Sequence, residues 1–139
     1  MRVIFFPLLV CLAACASPER SARPPERLYF AVELKQHGLK VGAPKLLGYS
    51  ERAIVVEKTT PGSAFPDYHL ELRPRARGPG FQVGFALDTG RGLKSSEVSL
   101  LHGEERRLML DDTEVTLRLL KVDSPEFRAL VAPLPVTSS

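Results

Sequence analysis

Apolar residues alternate with polar ones, at a period of two, through most of this chain, and no other feature restricts its fold so strongly. Leu28, Phe30, Val32 and Leu34 fall on one side of an extended backbone, with Tyr29, Glu33 and Lys35 on the other. Tyr68, Leu70 and Leu72 oppose His69, Glu71 and Arg73. Phe81, Val83, Phe85 and Leu87 oppose Gln82, Gly84 and Asp88, and Val115, Leu117 and Leu119 oppose Glu114, Thr116 and Arg118. Successive side chains of a strand point to opposite faces, so each run reads as a strand with one apolar and one wetted face. No window of helical length carries apolar residues at spacings of three and four with caps at its ends. The best helical stretch, Pro125–Val131, is short and suits a terminal strand equally well.

Turn residues separate the runs. Arg77-Gly78-Pro79-Gly80, His37-Gly38 and Thr89-Gly90-Arg91-Gly92 each follow an alternating segment, and Thr60 to Pro66 forms a longer loop. The expected fold is all-β, an antiparallel sandwich or small barrel of about eight strands. Phe30, Val32, Leu70, Leu72, Val83, Phe85, Leu117 and Leu119 are expected to share its core.

The domain also reads as two similar meander units, 27–74 and 80–121. Gly38-Leu39-Lys40 through Glu57 aligns without gaps on Gly92-Leu93-Lys94 through Asp111. Leu46-Leu47 falls on Leu100-Leu101, and Glu51-Arg52 on Glu105-Arg106. Two β-meanders with similar turns would look alike without duplication, so the pattern leaves both origins open. One such unit cannot bury its apolar faces alone, whereas two packed face to face can.

The first residues carry a different signal. Met1-Arg2 precedes an apolar run from Val3 to Ala14, too short for the ~20 residues that span a bilayer. It fits the hydrophobic part of a secretory signal. The run ends in Leu12-Ala13-Ala14-Cys15, which resembles the lipobox of bacterial lipoprotein precursors. That resemblance implies a signal peptide over 1–14, a diacylglycerol on Cys15 Sγ, cleavage before Cys15, and acylation of the new amine. The thiolate is the nucleophile such a transfer needs, and two or more acyl chains anchor stably where one is marginal. In the Gram-negative members a residue other than aspartate after the cysteine, here Ala16, implies the periplasmic face of the outer membrane. An ordinary signal peptide cut after Ala14 or Ser17 is the competing reading.

Residues 15–26 then form the lipidated cysteine and a tether with no large apolar side chain, 27–131 the β-domain, and 132–139 a loose tail. Loss of Arg2 with the signal leaves 18 basic and 16 acidic residues, a net charge of +2, which gives no reason to expect a nucleic-acid partner. Cys11 leaves with the signal and Cys15 is consumed, so no cysteine remains for a disulfide, a metal or catalysis.

Sites of chemistry are sparse. His37, His69 and His102 lack metal-ligand spacing. His102-Gly103-Glu104-Glu105 offers an imidazole and carboxylates to a metal or general-base site, with a polar turn as the plainer reading. Asp111, Asp112 and Glu114 lack the glycine and spacing of a calcium loop. No nucleophile elbow or phosphate loop is present, and no cofactor or metal is expected. Arg73, Arg75 and Arg77 share one side of a strand and are the sharpest charge feature, either a contact for lipid phosphate or an acidic partner, or a solubilising edge.

Pro44-Lys45-Leu46-Leu47, followed by a strand and then by Tyr68 to Pro74 and a glycine-containing turn, resembles a β-motif of bacterial secretins. The chain lacks the length and the glycine-rich gate of a secretin, so this implies at most an accessory role beside such a machine. The functional expectation is an envelope-anchored lipoprotein with a non-catalytic binding or scaffolding domain. Its partners would be the membrane, through the lipid, and an envelope protein, recruited by strand addition at residues 28–35 or 127–131. The alternative is an envelope hydrolase or metal-dependent enzyme built from His102, Glu104, Glu105 and His37.

Overall fold

The computed structural model describes residues 23–132. The lipobox and residues 133–139 lie outside the described residues. The elements follow in the order β1 Arg27–Gln36, β2 Leu39–Gly42, β3 Lys45–Tyr49, β4 Ile54–Lys58, β5 Tyr68–Arg77, β6 Gly80–Asp88, β7 Leu93–Leu100, β8 Glu105–Leu110, β9 Thr113–Lys121 and helix α1 Pro125–Val131. All strand pairs are antiparallel. In the first sheet β2 and β3 both pair with β1, which pairs with β9, which pairs with β8. The second sheet runs β4-β5-β6-β7. The chain crosses from the first sheet to the second between β3 and β4, and returns between β7 and β8. The result is an open two-layer sandwich of nine strands, not a closed barrel.

Local chemistry sets the hairpins. Between Gln36 and Leu39, His37 and Gly38 both have positive φ, 51° and 76°, as a two-residue type I′ turn requires. Between Arg77 and Gly80, Gly78 has φ 55° and Pro79 follows it, the residue order of a type II′ turn. Alternation then buries one face of each sheet against the other. All eight expected core residues belong to one buried cluster, which also takes in Leu28, Leu34, Phe81, Leu87, Leu100 and Val115.

The two sheets have the same strand order when β3, β1, β9 and β8 are laid on β7, β6, β5 and β4. Their central registers agree: Val32 faces Leu117 where Phe85 faces Leu72, and Phe30 faces Leu119 where Val83 faces Pro74. The outer strands do not follow the ungapped sequence comparison. Phe30 faces Leu46 while Val83 faces Val98, two residues short of Leu100, the counterpart of Leu46 in sequence. A slip of two residues keeps the same side chains on the core face, which is why packing tolerates it.

One reading left open by the sequence is decided here, and one expectation is corrected. Residues 125–131 are helical, because Ser124 caps the first turn by accepting from the Phe127 N–H, Pro125 opens the helix, and Glu126 lies in its first turn. The segments named for strand addition, 28–35 and 127–131, offer no free edge. The first is flanked on both sides within its sheet and the second is a helix. The free edges belong to β4 and β7 in one sheet, and to β8 and the β2–β3 side in the other.

Candidate interaction surface

The arginine row lies where alternation places it. Arg73, Arg75 and Arg77 are exposed on the outer face of β5, while Leu72 before them and Pro74 between the first two are buried. Their environments differ. Arg73 donates from Nε and Nη2 to Glu71 Oε1, each at 3.0 Å. Arg77 Nη1 donates to Gln82 Oε1 at 2.8 Å, and Gln82 Nε2 donates to Glu97 Oε2 at 2.7 Å. The Arg75 side chain has no hydrogen bond or ion pair among the described residues.

Beside this row runs a shallow groove of about 360 Å³. Its floor is Gly84 and Ala86 of β6, whose small side chains leave the outer face of the sheet low. Glu71 and Arg73 of β5 form one wall, and Ser95 and Glu97 of β7 form the other. Beyond Ser95 and Glu97 lies the free edge of β7. With eight residues it is longer than β4 or β8, and its only charges are Lys94 and Glu97. Three of the six residues of β8, by contrast, are charged, the usual guard against unwanted pairing.

The residues considered for catalysis are not brought together. His37 sits in the β1–β2 turn, at the opposite end of the sandwich from His102, which lies between β7 and β8. His102 is a structural pin: its Nδ1 accepts the Lys121 N–H at 3.0 Å, and its Nε2 lies 3.0 Å from Glu126 Oε2. The helix N-terminal backbone N–H, and then His102, hold the Glu126 carboxyl below its ordinary value. Glu104 is taken by Arg106 Nε at 2.8 Å. Glu105 is exposed on β8.

The acidic turn between β8 and β9 is likewise occupied. Asp112 accepts from Arg91 Nη1 at 2.8 Å and Lys94 Nζ at 3.2 Å, with His37 Nε2 at 3.6 Å. Asp111 pairs with Lys94, and Glu114 with Arg107. The Lys94 hydrogen bond pushes the Asp112 carboxyl down, and the same bond pushes Lys94 up. These pairs tie the β6–β7 turn of one sheet to the β8–β9 turn of the other. Among the described residues no group of three or more His, Cys, Asp or Glu is placed to hold a metal ion, and no helix is long and apolar enough to cross a membrane.

Sequence reasoning found the arginines and missed the groove and the edge. Gly84 and Ala86 on the wetted side of an alternating run were the available signal for the groove. Which strand ends a sheet depends on long-range pairing, for which the sequence carries no local mark. No family model, curated protein or solved structure matches this chain.

Proposed function

We propose that this chain is an envelope lipoprotein, anchored through Cys15 on the periplasmic face of the outer membrane. Its β-domain is a non-catalytic binding module that captures an extended segment of an envelope protein along β7. The observation carrying this reading is the long, lightly charged free edge of β7 beside the groove over Gly84 and Ala86. An added strand gains main-chain hydrogen bonds from the edge, and the neighbouring relief supplies side-chain selectivity. The lipobox supports the anchor. The engagement of His102, Glu104, Asp112 and Glu114 in pairs within the domain favours binding over catalysis.

The test is photocrosslinking in intact cells. A photoreactive residue at Ser95 or Ser99 is expected to give one discrete adduct, and the same residue at Met109 on the β8 edge none. Adducts at Met109 with none at Ser95 and Ser99 would refute the assignment of the edge.

A further inference from the structure

A second surface lies on the outer face of the first sheet, at the end where the chain enters β1. Tyr29 stands in register between Leu47 of β3 and Leu120 of β9. Helix α1 covers Tyr29 and Leu120 by setting Phe127 on the tyrosine ring, 5.5 Å between centroids. The cover is partial. Leu47 remains 57 % exposed, and Leu130 and Val131, three and four residues beyond Phe127, remain 53 % and 59 % exposed. Tyr49, on the same face of β3 as Leu47, is also exposed. An apolar strip with aromatic residues thus lies open.

Cations border it. Arg27, Lys45, Arg52, Arg118 and Arg128 make no ion pair among the described residues, and Arg52 stacks over the Tyr49 ring at 5.5 Å. The nearby carboxylates are mostly engaged elsewhere: Glu26 with Lys121, Glu33 with Lys35 and Glu126 with His102. Glu105, opposite Arg118, and Asp123, exposed just before the helix, are the exceptions. The surface combines exposed aliphatic and aromatic groups with unneutralised arginine and lysine, the pairing that suits the boundary between lipid headgroups and acyl chains.

We infer that this face, centred on Leu47, Tyr49 and Leu130 and bordered by Lys45, Arg118 and Arg128, lies against an anionic phospholipid surface. The inference rests on the lipid-anchor reading for its orientation. The covalent link at Cys15 would join the domain at Arg27, on this same face, and even fully extended the intervening chain reaches only ~40 Å at ~3.3 Å per residue. Tethering of that length holds the face at an effective concentration in the millimolar range, so a weak intrinsic affinity is enough to keep it docked. With the first sheet lying down, the outer face of the second sheet is turned away from the bilayer, and its groove and β7 edge stay open to a partner.

The experiment uses the protein purified from membranes, with a fluorophore on Leu47→Cys or, at the opposite end of the sandwich, on Leu93→Cys, reconstituted into vesicles carrying lipid-borne quenchers. Quenching at 47 is expected to exceed that at 93 several-fold in vesicles containing phosphatidylglycerol. It should fall to the level at 93 in pure phosphatidylcholine, or when Lys45, Arg118 and Arg128 are all changed to Ser. Equal quenching at the two positions, or an excess at 47 indifferent to lipid charge, would overturn the inference. So would a shift of the label at 47 in detergent on deleting residues 133–139, which would make the tail the occupant. Intact mass separates the two claims. If the acyl mass is missing, the anchor reading fails, and the same quenching comparison on the unacylated chain still decides for or against the face.

Discussion

Phe85 and Phe65 are the same side chain in opposite surroundings, and replacing each by alanine measures what burial contributes to this fold. Phe85 is 3 % exposed on the inner face of β6, between Leu72 of β5 and Ser96 of β7. Removing its ring forfeits up to ~3 kcal/mol of transfer free energy and leaves a void that costs ~24 cal/mol per Å³ where neighbours do not close in. Strands on both sides fix those neighbours, so the collapse is incomplete and the expected cost is about 3–5 kcal/mol. Phe65 is 77 % exposed in the loop between β4 and β5. Its loss leaves no cavity, and the small buried fraction limits the cost to less than about 1 kcal/mol. Urea denaturation followed by circular dichroism would read both, with m unchanged if the denatured states are alike. The midpoint of Phe85→Ala should fall by more than ~1 M at a typical m of ~1–3 kcal/mol/M, while that of Phe65→Ala stays near wild type. Should Phe85→Ala not fold, Phe85→Leu keeps most of the volume and should lose about 1–2 kcal/mol. Equal midpoints for Phe85→Ala and wild type, or equal losses at 85 and 65, would refute the assignment of the core.

Two further outcomes follow from the geometry. A Cβ added at Gly80 would lie 2.6 Å from the Leu100 carbonyl oxygen, backbone that cannot swing aside, so Gly80→Ala should lower stability by about 1–3 kcal/mol in the same urea assay. The Asp112 carboxyl is depressed first by its hydrogen bond to Lys94, so its contribution is present above the unfolded carboxylate range and is lost as pH falls through the depressed value. Lys94→Met should move the Asp112 titration, followed by carboxyl-carbon NMR, upward and remove that part of the acid sensitivity.

The sandwich was legible because alternation is a local property that each strand carries in its own sequence. Four of the strands, β1, β5, β6 and β9, alternate over enough residues to reveal both their type and their buried face, and these four form the centres of the two sheets. The shorter outer strands were legible only as turn-bounded segments. Ser124-Pro125-Glu126, a cap, a first-turn proline and an acid, was the signal available for the helix and went unread, because seven residues hold too few turns for a periodicity to show. Edges, by contrast, follow from which strands meet, and residues 28–35 read like an edge in isolation while lying inside a sheet. The same reason hid the basic apolar face: Leu47 is far in sequence from Arg118 and Leu130, and β3 comes onto one face with β9 and α1 only through β1, which pairs with both β3 and β9.

The order of the strands carries a consequence for how the two halves depend on each other. Within residues 27–74, β1 pairs with β2 and β3, and β4 with β5; within 80–121, β6 pairs with β7, and β8 with β9. The pairs that complete each sheet, β1 with β9 and β5 with β6, run between the halves. A half alone would hold two small hairpin-like groups in different layers, and isolated two-stranded ribbons are at best marginal in water. The largest buried side chains sit on the central strands, with Phe30 on β1 and Phe81 and Phe85 on β6, where a strand from the other half is hydrogen-bonded alongside. The core therefore cannot close until the first and last strands meet, across a separation of roughly the whole domain. Loop closure over that span is entropically costly and is repaid only when both central pairs form together. A fold built this way gains cooperativity from its connectivity, because neither sheet is complete without strands from both halves.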